Sequence, residues 1–161
     1  MDSFNYRGWS IKYEHTGQGS PVILLHNGGT SHVIWREIIP FLSDDYELFA
    51  FDLLGYGDSD KPDTGYTLDN YIDFLSAFVD HHRLAPVNIV GNCMGSAMSL
   101  GFAARRPEAV RALVLINPLT RSTFLAGSLG PTLRLRQRAP GLSRKIYGRL
   151  GRINMPARLG P

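Results

Sequence analysis

The sequence predicts an α/β fold, with a mostly parallel sheet that carries helices on both faces. Strand-like and helix-like segments alternate through the first 120 of the 161 residues, and such alternation is typical of parallel sheets. Residues 22–26 form a nearly continuous apolar run, the pattern of a strand that is buried on both faces. Ligands bind to such sheets beyond the carboxyl ends of the strands, so the residues that follow each strand are the candidates for function.

Each predicted element rests on a local pattern. Strands are expected where apolar residues alternate or run together, at residues 10–14, 22–26, 46–53, 87–90 and 112–116. Helices are expected where apolar residues recur at helical spacing, at residues 31–42, 67–84 and 94–105. Thr67 is the predicted N-cap of the second helix. Its predicted buried stripe consists of Leu68, Tyr71, Ile72, Leu75, Phe78 and Val79.

Composition limits the class of protein. Apolar residues make up 43% and charged residues 19% of the chain, which is typical of a globular domain with its own core. The sequence has no apolar run of transmembrane length and does not begin with a secretory signal pattern. Cys93 is the one cysteine, which excludes an internal disulfide and predicts a reducing, cytoplasmic compartment.

The net charge of +3 is distributed unevenly. Residues 1–120 contain 14 Asp and Glu against 8 Lys and Arg, whereas residues 121–161 contain 9 Lys and Arg and no acid. The positive charge therefore belongs to the last 41 residues. A nucleic-acid partner, which the average would favour, is not expected.

The segment after the strand at residues 87–90 contains a candidate nucleophile. Residues 91–95 read Gly-Asn-Cys-Met-Gly, which fits the pattern Gly-x-nucleophile-x-Gly between a strand and a helix. Side chains at Gly91 or Gly95 would clash in so tight a turn. The Cys93 thiol would face the positive end of the following helix, which stabilises negative charge on sulfur. The alternative is that Cys93 is a small core residue.

The segment after the strand at residues 22–26 is a candidate oxyanion-binding loop. An acyl-transfer site needs backbone N–H groups directed at the oxyanion. In this architecture one comes from this loop and one from the residue after the nucleophile, so Gly28 and Met94 are the candidates. Asn27 is a neighbour that could add a side-chain donor. His26 is expected to be a structural residue of this loop, and the alternative for the loop is an ordinary glycine-rich turn.

The acidic segment at residues 52–62 is interpreted as structural. It lacks the spacing of an EF-hand and has no Gly-Lys-Ser/Thr, so neither calcium nor phosphate is predicted to bind there. A turn held by Asp and Ser side chains accounts for its composition. No cofactor and no metal are predicted for the chain.

Three motifs occur in order: LLHNGGTSHVIW, DLLGYGDSDKP and VGNCMGSA. Together they resemble the alpha/beta-hydrolase superfamily, in particular its branch of epoxide hydrolases, haloalkane dehalogenases and small esterases, over residues 13–118. The resemblance implies a hydrolase with Cys93 as nucleophile and with Gly28 and Met94 as oxyanion donors. A Cys at this position is similar to the dienelactone hydrolases and polyhydroxyalkanoate synthases. Dehalogenases and epoxide hydrolases use Asp there, so the resemblance does not imply those two reactions.

The partners of the nucleophile are missing from their expected places. In this superfamily an Asp or Glu and then a His follow the nucleophile. After Cys93 the chain has one acid, Glu108, and no histidine. A complete domain of this type has roughly 250 residues. We therefore expect an N-terminal portion that ends after the sixth strand, with a degenerate, non-catalytic relative as the alternative.

The predicted domains are residues 1–120, the N-terminal part of the hydrolase core, and residues 121–161, the basic start of a cap or lid. Apolar residues at helical spacing among the arginines of the second part are compatible with binding to an anionic membrane or to the phosphates of an acyl-CoA. The interpretation we prefer is a cap helix with acidic partners elsewhere. The strand at residues 112–116 would be an exposed edge through which copies could associate.

The predicted function is a hydrolase that acts on a small-molecule ester, lactone or thioester through Cys93. A histidine outside this chain would be the general base. The alternatives are an acyltransferase and a catalytically inactive binding module of the same fold.

Overall fold

A computed structural model describes residues 1–119 of the protein. The strands are β1 (Asp2–Tyr6), β2 (Trp9–Thr16), β3 (Ser20–Leu25), β4 (Tyr46–Phe51), β5 (Val87–Asn92) and β6 (Val110–Ile116). The α-helices are α1 (Ile39–Leu42), α2 (Leu68–His81) and α3 (Met94–Arg105). Two short 3-10 segments, His32–Trp35 and Pro107–Ala109, lie between these elements.

All six strands form one sheet in the order β1-β2-β4-β3-β5-β6. The β1–β2 and β2–β4 pairs are antiparallel, whereas β3 pairs in parallel with both β4 and β5, and β5 pairs in parallel with β6. The central strands therefore run in one direction and end at the same edge. The predicted fold class, a mostly parallel sheet with helices on both faces, is confirmed.

The two central strands have side chains in two cores. Ile23 and Phe49 lie in the larger core, with the buried residues of α2 and α3. Leu24 and Leu48 lie in the smaller core on the other face, with Trp35. Because successive side chains of a strand point to opposite faces, burial on both faces requires a continuous apolar sequence. This is the pattern that residues 22–26 display.

The second and third predicted helices are present, with small corrections. Thr67 is the N-cap of α2, and its side chain accepts a hydrogen bond from the Asn70 N–H. α3 spans the predicted residues. Leu68, predicted to be buried, is the first residue of α2 and is 48% exposed. The helix α2 also ends three residues earlier than predicted.

The first predicted helix, at residues 31–42, is wrong as a single element. The chain forms the 3-10 segment His32–Trp35 and then the one-turn helix α1. Pro40 lies in the first turn of α1. A proline has no N–H and its ring clashes with the carbonyl group four residues earlier, so a continuous helix cannot pass through it. The apolar spacing is retained, and Trp35 and Ile39 still face the smaller core.

The strand β1 is absent from the sequence prediction. It forms a hairpin with β2 through Arg7 and Gly8, both of which have positive φ. Its apolar residues, Phe4 and Tyr6, are too few to produce a recognisable alternation, but both pack against the larger core.

At the other end of the sheet, β6 is the outermost strand among residues 1–119, and its Val114 is 53% exposed. In that part of the chain, no helix has both the length and the apolar character needed to cross a membrane. The predicted basic cap region at residues 121–161 lies outside the described residues, so the domain boundary stays a prediction.

Candidate active site

Cys93 occupies the single residue between β5 and α3. Its backbone has φ +51° and ψ −102°, a conformation that residues with a side chain rarely adopt. Backbone hydrogen bonds hold the turn, and one of them ties it to the end of β6, because the Cys93 N–H donates to the Ile116 carbonyl at 2.9 Å. The Cys93 carbonyl accepts bonds from the Ser96 N–H and from the Ser96 hydroxyl, the latter at 2.6 Å. The thiol-bearing residue is half-buried.

Two glycines make this turn possible. A Cβ on Gly91 would lie 2.5 Å from the Gly95 carbonyl oxygen and 2.6 Å from the Ser99 hydroxyl oxygen. A Cβ on Gly95 would lie 2.7 Å from the carbonyl carbon of Leu25, the last residue of β3. The clashes that the Gly-x-Cys-x-Gly spacing predicts are therefore present. The contact between Gly95 and Leu25 also brings the start of α3 against the end of β3.

The candidate oxyanion loop begins just after that contact. The Asn27 side chain donates to the Gly28 carbonyl at 3.2 Å and accepts from the Thr30 hydroxyl at 3.0 Å. Its polar atoms therefore hold the turn together. Among the hydrogen bonds of residues 1–119, the amides of Gly28 and Met94 have no acceptor. Their roles, and that of Asn27, stay predictions.

His26 is fully buried at the base of this loop. Its Nε2 accepts a bond from the Leu53 N–H at 3.0 Å, and its Nδ1 lies 2.7 Å from the Asn27 carbonyl, to which it donates. Burial lowers the pKa of His26, although the bond to Asn27 opposes this. The imidazole is therefore neutral, and both of its nitrogens are hydrogen-bonded. Through these bonds it connects the segment after β3 with the segment after β4. It acts as the structural residue that the sequence analysis expects.

The segment after β4 is built around the buried carboxylate of Asp52. Oδ1 accepts bonds from the backbone N–H of His32 at 2.8 Å and from its Nδ1 at 2.7 Å, and Oδ2 accepts from the Asp58 N–H at 2.7 Å. Burial alone would raise the pKa of Asp52, but these donors outweigh it and the pKa lies below its usual value. The Ser59 hydroxyl donates to the Asp52 carbonyl. These contacts agree with a structural turn, while the partnership with His32 had no signal in the sequence.

The five histidines all have contacts away from Cys93. Besides His26 and His32, His15 pairs with Glu47 at 2.9 Å. The rings of His81 and His82 pack on aromatic side chains at the end of α2, with His82 at 4.4 Å from Phe78 between ring centroids. Within the described residues, no histidine and no carboxylate is hydrogen-bonded to the Cys93 thiol.

A recess of about 370 Å³ lies beside this turn, and sequence reasoning missed it. Its walls are Gly55, Tyr56, Tyr66, Tyr71 and Met94. One wall is thus formed by Met94, the residue that directly follows Cys93 in the chain. The Gly-Tyr-Gly at residues 55–57 could have indicated it, but the sequence analysis interpreted that loop only as a structural turn.

Comparisons with known proteins place these features in a family. The profile of the alpha/beta hydrolase fold matches residues 20–144. The chain is 42% identical over 116 residues to 2-hydroxy-6-oxo-6-(2'-aminophenyl)hexa-2,4-dienoic acid hydrolase of Metapseudomonas resinovorans, covering 70% of this chain and 40% of that protein. It is 39% identical over 137 residues to a haloalkane dehalogenase of Agrobacterium fabrum, covering 83% of this chain and 45% of that protein.

A solved structure gives the same result. An alpha/beta hydrolase fold protein from Burkholderia ambifaria superposes with a TM-score of 0.74 at 27% identity, over 92% of this chain and 55% of that one. The chain spans 40% and 45% of the length of the two curated relatives named above.

Proposed function

The chain belongs to the alpha/beta hydrolase fold family, and from this premise we propose that it acts on an ester, lactone or thioester with Cys93 as its nucleophile. One observation carries the proposal. The thiol sits on a residue with positive φ, between two glycines that admit no side chain, at the junction of a central strand and a helix. Members of this architecture carry their nucleophile at that junction.

The chemistry follows from the groups around this turn. The Cys93 thiolate attacks the carbonyl carbon, a carbon–sulfur bond forms, and the carbonyl π pair moves to oxygen. The amides of Gly28 and Met94 donate to that oxyanion. When the carbonyl reforms, the bond to the leaving group breaks and the leaving group takes up a proton. Water then attacks the thioester, which releases the acid and restores the thiol.

A base has to accept the thiol proton and later return it to the leaving group. The five histidines, all between residues 15 and 82, form hydrogen bonds or ring contacts with residues other than Cys93. We therefore assign this role to a histidine outside this chain. If an alcohol or thiol replaces water in the second step, the same intermediate gives an acyltransferase.

A second candidate substrate is a 2-hydroxy-6-oxo-dienoic acid, because the relative at 42% identity is a hydrolase of such an acid. Dehalogenation is not part of the proposal. The resemblance implies Asp at the nucleophile position of the dehalogenases, and this chain has Cys93.

The test replaces Cys93 by Ala and by Ser in the intact protein, with aryl esters, thioesters and a 2-hydroxy-6-oxo-dienoic acid as probes. We expect Cys93→Ala to lower kcat by about 10³-fold or more, as removal of a nucleophile does. Cys93→Ser keeps a nucleophilic oxygen in the same turn and should retain more activity than Cys93→Ala. Equal activity of Cys93→Ala and the wild type would overturn the assignment, and a wild type inert to all three probes would favour the binding module.

A further inference from the structure

The Tyr56 side chain extends from the Asp52 segment to Gly28, one of the two candidate oxyanion donors. Its hydroxyl oxygen lies 3.5 Å from the position that a Cβ on Gly28 would occupy. Its side chain also shares the wall of the recess with Met94. Gly28 follows β3 and Met94 begins α3. One side chain on a third loop therefore lies next to Gly28 and lines the same recess as Met94, the two residues whose amides the proposed mechanism uses.

The position of Tyr56 is fixed by its neighbours in the chain. Gly55 has φ +89° and Gly57 has φ +49°. A side chain on Gly55 would collide with the Tyr66 ring, and one on Gly57 would collide with the Asp52 carboxylate. The Tyr56 N–H donates to the Leu53 carbonyl at 2.9 Å, and its carbonyl accepts from the Ser59 N–H at 3.1 Å. The backbone at Tyr56 is thus held in one conformation by its own loop.

The three tyrosines of the recess differ in how they use their hydroxyl groups. The Tyr71 hydroxyl is buried and donates to the Leu54 carbonyl at 2.7 Å. Tyr66 is 47% exposed, at the outer side. Tyr56 packs its ring edge-on against His26, with 5.3 Å between centroids. No residue in the described part of the chain accepts a hydrogen bond from its hydroxyl.

We propose that the Tyr56 hydroxyl is a third oxyanion donor, which hydrogen-bonds to the substrate carbonyl oxygen beside the Gly28 and Met94 amides. This inference rests on the proposed function, since it needs an acyl substrate at Cys93. A fixed donor in a partly enclosed site stabilises developing charge without reorganising during the reaction. The hydroxyl of Tyr56 has the required chemistry, a donor that no residue of the described range 1–119 engages, and Phe at this position would keep only the ring.

The experiment compares Tyr56→Phe with Tyr46→Phe, a control at the exposed start of β4 and outside the recess, using an aryl ester. Removal of an oxyanion donor lowers kcat by about 10²-fold, and we expect that loss for Tyr56→Phe with KM changed by less than about threefold. Tyr46→Phe should stay close to the wild type. Thermal unfolding should give the same Tm for all three proteins, because the Tyr56 hydroxyl bonds to no described residue.

A second measurement separates a donor from a packing role. Replacing the carbonyl oxygen of the ester by sulfur gives a thionoester, which accepts hydrogen bonds poorly. The wild type should prefer the ester over the thionoester more strongly than Tyr56→Phe does, by about the factor lost in kcat. An unchanged preference, or an equal loss in both tyrosine variants, would overturn the inference. If Cys93→Ala is inactive while Tyr56→Phe is fully active, the inference fails and the proposed function stands.

Discussion

Two loops at the same edge of the sheet differ in how their polar groups are hydrogen-bonded. In the Asp52 loop, both carboxylate oxygens and the backbone carbonyl accept hydrogen bonds from within the loop and from His32. In the Cys93 turn, the backbone is strained and the thiol is hydrogen-bonded to no described histidine or carboxylate. Polar groups that are fully bonded internally build a scaffold. Groups held in a strained position without such bonds are free to act on a ligand.

The two loops also differ in how they affect the stability of the fold. A φ of +51° at a residue with a side chain costs of order 1–3 kcal/mol. The rest of the fold has to offset that cost, and the Asp52 loop is one source, because buried charge-assisted hydrogen bonds are among the stronger polar contacts. The structure therefore predicts that loss of the Cys93 thiol lowers activity, whereas a side chain forced into the Cys93 turn or loss of the Asp52 contacts lowers stability.

The largest effect should come from closing the space that the Cys93 turn needs. In Gly95→Ala the new methyl group meets the rigid backbone of Leu25, and we expect a loss of about 3 kcal/mol or more in unfolding free energy. Gly101→Ala is the matched control in α3, since its methyl group meets the flexible Ile72 side chain and the change in helix propensity is favourable by about 1 kcal/mol. Urea unfolding measures both. Equal losses would mean that the Gly95 contact does not constrain the turn.

The second effect tests the scaffold loop. Asp52→Asn replaces an acceptor of three N–H bonds by a group with one acceptor oxygen, and should lower the unfolding free energy by about 2–4 kcal/mol. Asp60→Asn is the control, because the Asp60 carboxylate accepts one exposed bond, from the Ser10 N–H at 2.8 Å. The reactivity of Cys93 toward iodoacetamide should persist in folded Asp52→Asn. A variant as stable as the wild type would contradict the scaffold role.

The smallest effect concerns pH. Burial lowers the pKa of His26 in the folded state, so the unfolded chain binds its proton more readily. The stability from neutral His26 is present above its usual pKa of about 6.5 and is lost as pH falls through the folded value. His26→Gln keeps an acceptor for the Leu53 N–H but cannot titrate.

Urea unfolding from pH 7.5 to pH 5 should therefore give a shallower decline for His26→Gln than for the wild type. Asp52 contributes in a different window. Because its pKa is lowered from about 3.8, its share of the stability is lost only as pH falls below about 4. Identical pH slopes for the wild type and His26→Gln would contradict a buried, neutral His26.

The sequence predicted the structure best where a single physical constraint determines which residue type can occupy a position. Gly91 and Gly95 flank Cys93 because no side chain fits there, and this spacing predicts the turn. Continuous apolar runs predicted β3 and β4, because both faces are buried. The prediction failed at residues 31–42 because the apolar spacing supports a continuous helix there but Pro40 interrupts it. It missed β1 because that strand depends on pairing with β2, a partner that no local pattern encodes.

The site was only partly predictable for the same reason. The candidates Cys93, Gly28 and Met94 follow from their places after strands. The bond between His32 and Asp52 joins residues 20 apart in the chain, and no local pattern encodes it. The approach of Tyr56 to Gly28 is a contact of the same kind, since it depends on how the segments after β3 and β4 lie against each other.

The most direct test of the central claim is the identity of the acylated residue. The intact protein is mixed with p-nitrophenyl acetate, quenched in acid during turnover, digested and analysed by peptide mass spectrometry. Cys93 is the one cysteine among these 161 residues, so a thioester on their peptides can be assigned to it directly. We predict one acetyl group on the peptide that contains Cys93, released by hydroxylamine and absent from Cys93→Ala. Turnover with the acetyl group on a serine or lysine, or undiminished in Cys93→Ala, would contradict the account.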